Sequence, residues 1–348
     1  MNASRLGIFV GDGGVDQPGL LQLEGEIVLF GAGAATDLSM FPKDRLRLVC
    51  GMKPDVEALE AAGFAVSVAP PEAAALAVVI LPRAKAQARA VVARALDLAG
   101  VAVIDGQKHD GVDSLYREMR GRAECGPAFS KAHGKAFTAR AEKGAFADWA
   151  RAGERAANRD GFVTQPGVFS ADAIDPASAL LADALPPVLG RHVADFGAGW
   201  GFLAGEILKR EGVEVLDLVE ADHAALDCAR ANVTDPRAAF HWADACTWRA
   251  EAPLDAVVMN PPFHEGRKGV PELGQGFIRN AAAGLAPGGR LYLVANRHLP
   301  YEAALRDSFR EVEELGGDTR FKLFAAAHPV RAGGRTVTRR RLRSRPVG

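Results

Sequence analysis

The chain has 348 residues, of which 48% are hydrophobic and 24% are charged, so it can bury a real core and exceeds the usual size of one domain. Its net charge of −1 excludes an overall positive field, so any contact with nucleic acid must be local. Four cysteines without a CxxC pair, no secretory pattern and no run of 18 apolar residues argue against a disulfide scaffold, a zinc ribbon and a membrane span. We expect a cytoplasmic protein without a metal.

The first half of the chain alternates short apolar strands with helices. Its predicted strands are Glu26–Gly31, Arg47–Cys50, Ala65–Val68, Val78–Leu81 and Val101–Ile104, and its clearest helix is Ala84–Ala99. Such an alternation predicts a mostly parallel sheet. Only Gly31-Ala32-Gly33 could form a nucleotide-binding loop, and Ala35 stands where a third glycine would be needed. We therefore expect a degenerate copy of the second domain, without a working cofactor pocket.

Residues 106–165 are rich in Arg, Lys, Gly and Ala and show no strong strand signal, so we predict a connector there. The second half is more regular. Its predicted strands are His192–Phe196, Val215–Glu220, Ala239–Trp242, Asp255–Met259, Arg290–Ala295 and Arg320–Ala325. Its predicted helices are Asp175–Leu185, Phe202–Arg210, Ala224–Asn232, Phe277–Leu285 and Tyr301–Phe309. Six or seven strands that alternate with helices predict a doubly wound α/β sheet.

The end of the chain differs in charge from the rest. Arg331–Gly348 holds seven arginines and no acid, so residues 1–330 carry a net charge of −8. A segment of this composition cannot bury a core, and we predict that it is disordered.

A glycine loop follows the first strand of the second half. It reads Asp195-Phe196-Gly197-Ala198-Gly199-Trp200-Gly201 and opens a helix. Glycines at alternate positions let the backbone approach a ligand without a Cβ clash. The GxGxG spacing differs from the GxGxxG of a dinucleotide site, which weakens a nicotinamide interpretation. Taken alone, a cofactor loop and a plain turn are equally good explanations; Asp195, Gly197, Gly199 and Gly201 are its cofactor-binding candidates.

Acidic residues follow the next two strands. Glu220 ends the second strand, where a carboxylate can accept both ribose hydroxyls of an adenosine. Asp222 competes for that role, or caps the following helix. Asp244 follows the third strand, where it can accept from an adenine amino group or cap a turn. Together with the glycine loop, these acids indicate an adenosine-bearing cofactor.

The strongest signal is the segment Asp255–Phe263, in which a buried strand ends in Asn260, Pro261, Pro262 and Phe263. The two prolines lack amide donors and stiffen the loop. The acceptors that remain are the Asn260 side-chain carbonyl and the Pro261 backbone carbonyl, which match the two N–H donors of a planar exocyclic amine. Phe263 would stack on the ring of the target. A proline-rich turn with a packed aromatic is the weaker alternative.

The sequence resembles a known family, the ribosomal RNA small subunit methyltransferase C family and its large-subunit relatives, which methylate guanine N2. The resemblance extends over nearly the whole chain. The matching segments are Asn260–Gly266 (NPPFHEG), Pro166–Ser170 (PGVFS), Val294–Asn296 with Leu299–Tyr301, Arg320–Lys322, Gly106–Lys108 and Ser130–Lys135. NPP with an aromatic is shared by many amine methyltransferases, whereas the His264 and Gly266 extension is more selective.

The resemblance implies two tandem Rossmann-like methyltransferase domains: a degenerate one with its connector at residues 1–160, and a catalytic one at 161–330, before the tail at 331–348. The second domain would bind S-adenosylmethionine and methylate guanine N2 in ribosomal RNA, with 16S rRNA favoured. The partner would be ribosomal RNA or a ribosomal subunit, and the paired domains could serve as a monomer. Carried over by position, the cofactor residues are Gly197, Gly199, Gly201, Glu220 and Asp244, and the catalytic loop is Asn260–Phe263. Phe196 departs from the small residue usual before the first glycine, and the arginine-rich tail has no counterpart.

Three residues beyond the loop are candidates for substrate binding. His264 either approaches the guanine or supports the loop, and Arg267 and Lys268 either meet phosphates or are solvated. Other functions stay open on the loop chemistry alone. A glutamine side chain or adenine N6 is also a planar amine, and a non-catalytic RNA-binding or ribosome assembly protein with a vestigial site is the non-enzymatic alternative. A nicotinamide oxidoreductase is weaker.

Overall fold

The computed structural model describes residues 4–11, 19–262, 264–265, 268–269 and 271–331. The strands are β1 (Ile27–Phe30), β2 (Leu46–Val49), β3 (Ala65–Ser67), β4 (Leu76–Ile80), β5 (Val101–Gln107), β6 (Glu124–Cys125), β7 (Phe129–Lys131), β8 (Gly134–Arg140), β9 (Ala156–Ala157), β10 (Val163–Thr164), β11 (His192–Phe196), β12 (Val215–Glu220), β13 (Ala238–Trp242), β14 (Leu254–Met259), β15 (His264–Glu265), β16 (Lys268–Gly269), β17 (Leu285–Asn296), β18 (Phe309–Gly317) and β19 (Phe321–Pro329). The α-helices are α1 (Arg5–Gly11), α2 (Lys53–Ala61), α3 (Lys85–Ala99), α4 (Val112–Met119), α5 (Ala147–Arg151), α6 (Pro176–Ala184), α7 (Phe202–Leu208), α8 (His223–Asn232), α9 (Pro271–Gly284) and α10 (Tyr301–Ser308).

The first half forms one sheet in the order β3-β2-β1-β4-β5-β8-β6, with β7 also paired to β8. Its first five strands run parallel, and β8 runs antiparallel to β5. The central strand β1 is buried along its whole length, because Ile27 and Leu29 pack into one apolar cluster and Val28 and Phe30 into another on the opposite face. Burial on both faces explains why this strand is a continuous apolar run rather than an alternating one.

The second half repeats this plan in a seven-stranded sheet with the order β13-β12-β11-β14-β17-β19-β18. The last two strands are antiparallel to their neighbours. Val257 packs on the side of α9 and α10, and Val258 on the side of α6 and α7, so helices cover both faces. Two domains with the same strand order confirm the predicted tandem α/β architecture. The boundary at residues 160 and 161 stays a prediction.

The strands β6 to β10 and the edge strand β18 were not predicted from the sequence. Residues 106–165 are not a connector without strands, because β8 is an interior strand of the first sheet and pairs with β5 from Val101 to Gln107. Its sequence is mixed (GKAFTAR), and its buried small residues fit only because neighbouring strands cover them, so tertiary pairing rather than local propensity makes it a strand. The edge strand β18 is acidic and mostly exposed. The other predicted strands and helices are confirmed, with α9 beginning at Pro271 rather than Phe277.

The two domains meet where β2 and β12 end. The segments Gly51–Lys53 and Ala221–His223 exchange two backbone hydrogen bonds of 2.9 Å, in each of which the N–H at the end of one segment donates to the carbonyl at the start of the other. The indole N–H of Trp242 lies between the first carbonyls of both segments, at 3.0 and 2.9 Å. Because β2 and β12 hold the same place in their sheets, equivalent segments of the two domains meet.

Within the described ranges, no helix is both long and apolar enough to cross a lipid bilayer. The same part of the chain contains no group of three or more His, Cys, Asp or Glu side chains arranged to hold a metal ion. The four cysteines are all free thiols.

Candidate active site

The glycine loop lies between β11 and α7, and its glycines have different functions. Gly199 has a left-handed backbone (φ 56°), and a Cβ added there would meet nothing within 4 Å. Gly201 is also left-handed (φ 93°), but a Cβ there would come within 2.9 Å of the Val233 side chain. Gly201 therefore allows α7 to pack on α8, whereas Gly199 borders space that a ligand can fill.

Glu220 links the end of β12 to this loop. Its Oε2 accepts a hydrogen bond from the Gly199 N–H at 2.8 Å, and its Oε1 accepts one from the Asp222 N–H, also at 2.8 Å. Burial is the main cause that raises its pKa. A carboxylate has about four acceptor positions, so both oxygens keep capacity for ribose hydroxyls.

Asp222 caps a helix. Its side chain accepts a hydrogen bond of 3.0 Å from the Ala224 N–H, at the first turn of α8. Burial is also the largest cause that raises the pKa of this carboxyl, so the cap is less solvated than a surface cap would be. Asp222 stabilises the start of α8, whereas Glu220 accepts directly from the N–H of Gly199 in the glycine loop, so Glu220 is the better-placed candidate for the ribose.

Asp195 is the fully buried acid of the loop. Among the residues that the structure describes, neither carboxyl oxygen has a hydrogen-bond partner of good geometry. Burial, which is the largest cause, and the charge of Glu220 raise the pKa of Asp195 to about 8, although the Ala204 N–H opposes part of this rise. The carboxyl is therefore expected to be largely protonated at neutral pH when no ligand compensates it.

We predict that Asp195→Asn stabilises the ligand-free protein more as the pH rises. The unfolded carboxyl has a pKa of 3.8 and the folded one about 8, so the native state binds more protons between these values and wild-type stability falls as the pH increases through that window. An amide does not titrate in this range, so the Asp195→Asn variant does not lose stability in this way. Thermal unfolding measured from pH 5 to pH 8 should show a widening difference in melting temperature; parallel pH curves would contradict the assignment.

Asp244 forms the turn after β13. Its Oδ1 accepts a hydrogen bond of 2.8 Å from the Cys246 N–H, and its carbonyl accepts from the N–H groups of Thr247 and Trp248. The alternative function as a turn cap is thus present in the structure. One carboxyl oxygen suffices for this turn, which leaves the proposed contact with an adenine amine compatible with it.

Asn260 follows β14 and lies beside the glycine loop, in a pocket that Gly197 and Gly199 also line. Its Nδ2 donates to Asp175 Oδ2 at 3.0 Å and to Ser178 Oγ at 2.8 Å. Its Oδ1 is buried and has no hydrogen-bond partner within the part of the chain that the structure describes. A buried acceptor without a donor is rare, and at this position beside the glycine loop a ligand could supply the donor.

The structure describes some of the predicted residues near this loop only by their backbone, and others not at all. Phe263 and Arg267 lie outside the described residues, as does the tail after Arg331. The backbones of His264 and Lys268 belong to the two short antiparallel strands β15 and β16; their side chains are likewise outside the description.

Sequence reasoning did not assign Asp175, Ser178 or Phe169 to the site. Asp175 was predicted only as the start of a helix, and it does cap α6. Phe169 is 55% exposed and lines the pocket that contains Asn260, and its carbonyl accepts a hydrogen bond from the Trp200 indole at 2.9 Å. The sequence signal at Asp175 was that of a helix N-cap, which does not connect Asp175 or Ser178 with the site.

Comparisons with known proteins show which sequences and folds this chain resembles. Residues 160–325 match the family model of the methyltransferase small domain. Ribosomal RNA small subunit methyltransferase C of Hahella chejuensis is 35% identical over 165 residues, which cover 47% of this chain and 48% of that protein. Its namesake from Klebsiella pneumoniae is 34% identical over 162 residues, covering 46% and 47%. The chain thus aligns with about half the length of these curated relatives.

A solved structure extends the similarity to both domains. The T. thermophilus 16S rRNA N2 methyltransferase in complex with AdoMet and guanosine matches with a TM-score of 0.72 at 26% identity, over 90% of this chain and 92% of that chain. The chain is therefore similar to ribosomal RNA small subunit methyltransferase C proteins, in sequence over the second domain and in fold over both domains.

The first domain keeps the outline of this site but lacks the side chains that form it in the second domain. Phe30–Gly33 repeats the sequence Phe-Gly-Ala-Gly of the second-domain loop, but a Cβ at Gly31 would meet the Ile80 carbonyl at 2.5 Å. Cys50 follows β2 where Glu220 ends β12, and the residues after β4 are Leu81 and Pro82, which carry no side-chain acceptor. The degenerate character predicted for the first domain is confirmed.

Proposed function

We propose that this protein transfers the methyl group of S-adenosylmethionine to the exocyclic N2 amine of a guanine in ribosomal RNA, with 16S rRNA favoured. The observation that carries the proposal is the buried Asn260 Oδ1 next to an open glycine loop, an acceptor to which none of the described residues donates. AdoMet and guanosine, the two molecules in the T. thermophilus complex, are the two that such a site would hold. The partner would be ribosomal RNA or a ribosomal subunit, which places the reaction in the cytoplasm.

The cofactor site would use the described loop and strand ends. The open space at Gly199 admits a ligand close to the backbone. Glu220 would accept the ribose hydroxyls, and Asp244 the adenine amino group. Gly197 and Gly201, with Asp195 beneath them, would shape the loop around the methionine part. The cofactor would supply an electrophilic methyl group on a positively charged sulfur.

The catalytic loop would orient the target amine. Asn260 Oδ1 and the Pro261 carbonyl would each accept one N–H of guanine N2, which turns the nitrogen lone pair toward the methyl group. This orientation matters because the lone pair is otherwise delocalised into the ring, and it requires no strong base. Pro262 stiffens the loop, and Phe263 would stack on the guanine. Contacts of His264, Arg267 and Lys268 with the RNA stay predictions.

Methylation of a glutamine side chain or of adenine N6 would use the same two acceptors, so the product has to be identified directly. We expect the purified chain, S-adenosylmethionine and 16S rRNA or small ribosomal subunits lacking this methyl group to yield N2-methylguanosine, detected by mass spectrometry of digested nucleosides. N6-methyladenosine or a methylated protein would move the function to a rival substrate. Isothermal titration that detects no S-adenosylmethionine binding would leave a non-catalytic RNA-binding protein.

A further inference from the structure

We propose that Asp175 and Ser178 are positioning residues that fix the amide of Asn260, so that its carbonyl is ready to accept the substrate amine. The identity of that amine rests on the proposed function. The contact itself is observed in the structure, where Asn260 Nδ2 donates to Asp175 Oδ2 at 3.0 Å and to Ser178 Oγ at 2.8 Å.

The two contacts determine which way the amide of Asn260 faces. An amide NH2 has two hydrogens, and here each has its own acceptor. The reversed orientation would place the amide oxygen against the Asp175 carboxylate and would leave both hydrogens facing the substrate pocket. Leaving those buried groups unpaired is unfavourable, and most unfavourable beside a charge. The orientation of the amide is therefore set, and its oxygen is left without a donor among the described residues, before any substrate arrives.

Asp175 is itself held in place by the start of α6. The same oxygen that accepts from Asn260 also accepts the backbone N–H of Ser178 at 2.9 Å, as the N-cap of the helix. Pro176 occupies the first helical position, where its fixed φ favours the helix start. Ser178 is buried, with 8% of its surface exposed. The acceptor pair is consequently preorganised, which is the condition under which a fixed dipole lowers a reaction barrier.

The negative charge of Asp175 adds an electronic effect. A hydrogen bond from an amide N–H to a carboxylate polarises the amide and increases the negative charge on its oxygen. Asn260 Oδ1 would thus be a stronger acceptor for the substrate N–H than an asparagine bound to neutral groups. Removal of the charge should weaken this acceptor even where the shape of the site is kept.

The test uses Asp175→Asn, which retains a good N-cap but removes the charge, and Ser178→Ala, which removes one acceptor. We expect each to lower kcat by about 10- to 100-fold, while the Kd for S-adenosylmethionine and the melting temperature stay near wild type. Asp160→Asn is the matched control, because Asp160 accepts from the Ile174 N–H next to the helix start without touching Asn260. Its kcat should be unchanged.

Two results would overturn the inference. One is wild-type kcat in both variants; the other is a raised Kd for S-adenosylmethionine with kcat retained, which would make the pair a cofactor contact. NMR exchange of the Asn260 side-chain amide protons gives a readout independent of activity. If these protons are protected in the wild type and exchange freely in Asp175→Asn, the inference is supported even when no guanine is methylated. In that case only the proposed function fails. Free exchange in the wild type overturns it.

Discussion

Asn260→Ala is expected to lower kcat for methyl transfer by about 10²- to 10³-fold, the usual cost of losing one preorganised polar group at a reacting centre. The change removes the buried Oδ1, which would accept one of the two N–H donors of the target amine. The Pro261 carbonyl would remain, but a single acceptor cannot hold both hydrogens and leaves the lone pair free to turn away from the methyl group. Single-turnover methyl transfer measures this effect directly.

The affinity for S-adenosylmethionine separates a catalytic function of Asn260 from a structural one. The Asn260 side chain contacts Asp175 and Ser178, not Glu220 or the Gly199 N–H, so isothermal titration of the alanine variant should give a Kd near that of the wild type. A comparable loss of binding and transfer would mean that the loop supports the fold of the site rather than the reaction.

The second large effect is expected at Glu220. Glu220→Gln should raise the Kd for S-adenosylmethionine by about 100-fold, since hydrogen bonds to a charged group contribute about 1.5–3 kcal/mol each. Both oxygens of the buried carboxylate accept backbone N–H groups, from Gly199 and from Asp222. A glutamine must turn its NH2 toward one of these donors, so it loses a contact within the loop as well as an acceptor for the ribose.

Asp222→Asn is the control for this change, because Asp222 lies two residues from Glu220. Its side-chain oxygen caps the helix by accepting a hydrogen bond from the Ala224 N–H, and asparagine has an equivalent oxygen. Its Kd for S-adenosylmethionine, by isothermal titration, should change little. If Asp222→Asn weakened binding more than Glu220→Gln, Asp222 rather than Glu220 would be the ribose ligand.

Much of the fold could be predicted because the parallel strands are buried on both faces. Strands such as β11 (HVADF) and β12 (VLDLVE) are mostly apolar, and their observed bounds match the predicted ones. The strand β8 could not be predicted in this way, since its Lys, Thr and Ala residues become a strand only beside β5. Local pattern therefore identifies central strands, while strands at the antiparallel side depend on their neighbours.

The candidate site was predictable where its residues follow consecutive parallel strands. Gly199, Glu220 and Asn260 all lie just after strand ends, and such ends meet at one edge of a parallel sheet. The contact between Asn260 and Asp175 was not predictable, because 85 residues separate them and Asp175 belongs to a helix outside the sheet. Its capping pattern explains a helix start and contains no information on what else the carboxylate binds.

The reciprocal contact between Gly51–Lys53 and Ala221–His223 has the symmetry of an isologous dimer interface, in which one patch meets its own copy around a two-fold axis. A duplicated and fused gene would preserve such an interface inside one polypeptide. Only one copy then has to remain an enzyme, because the other still supplies the backbone groups that hold the segment directly after Glu220. In that sense the degenerate domain is a permanently bound subunit. Its outer surface is free to evolve, whereas the segment that contacts the second domain is constrained.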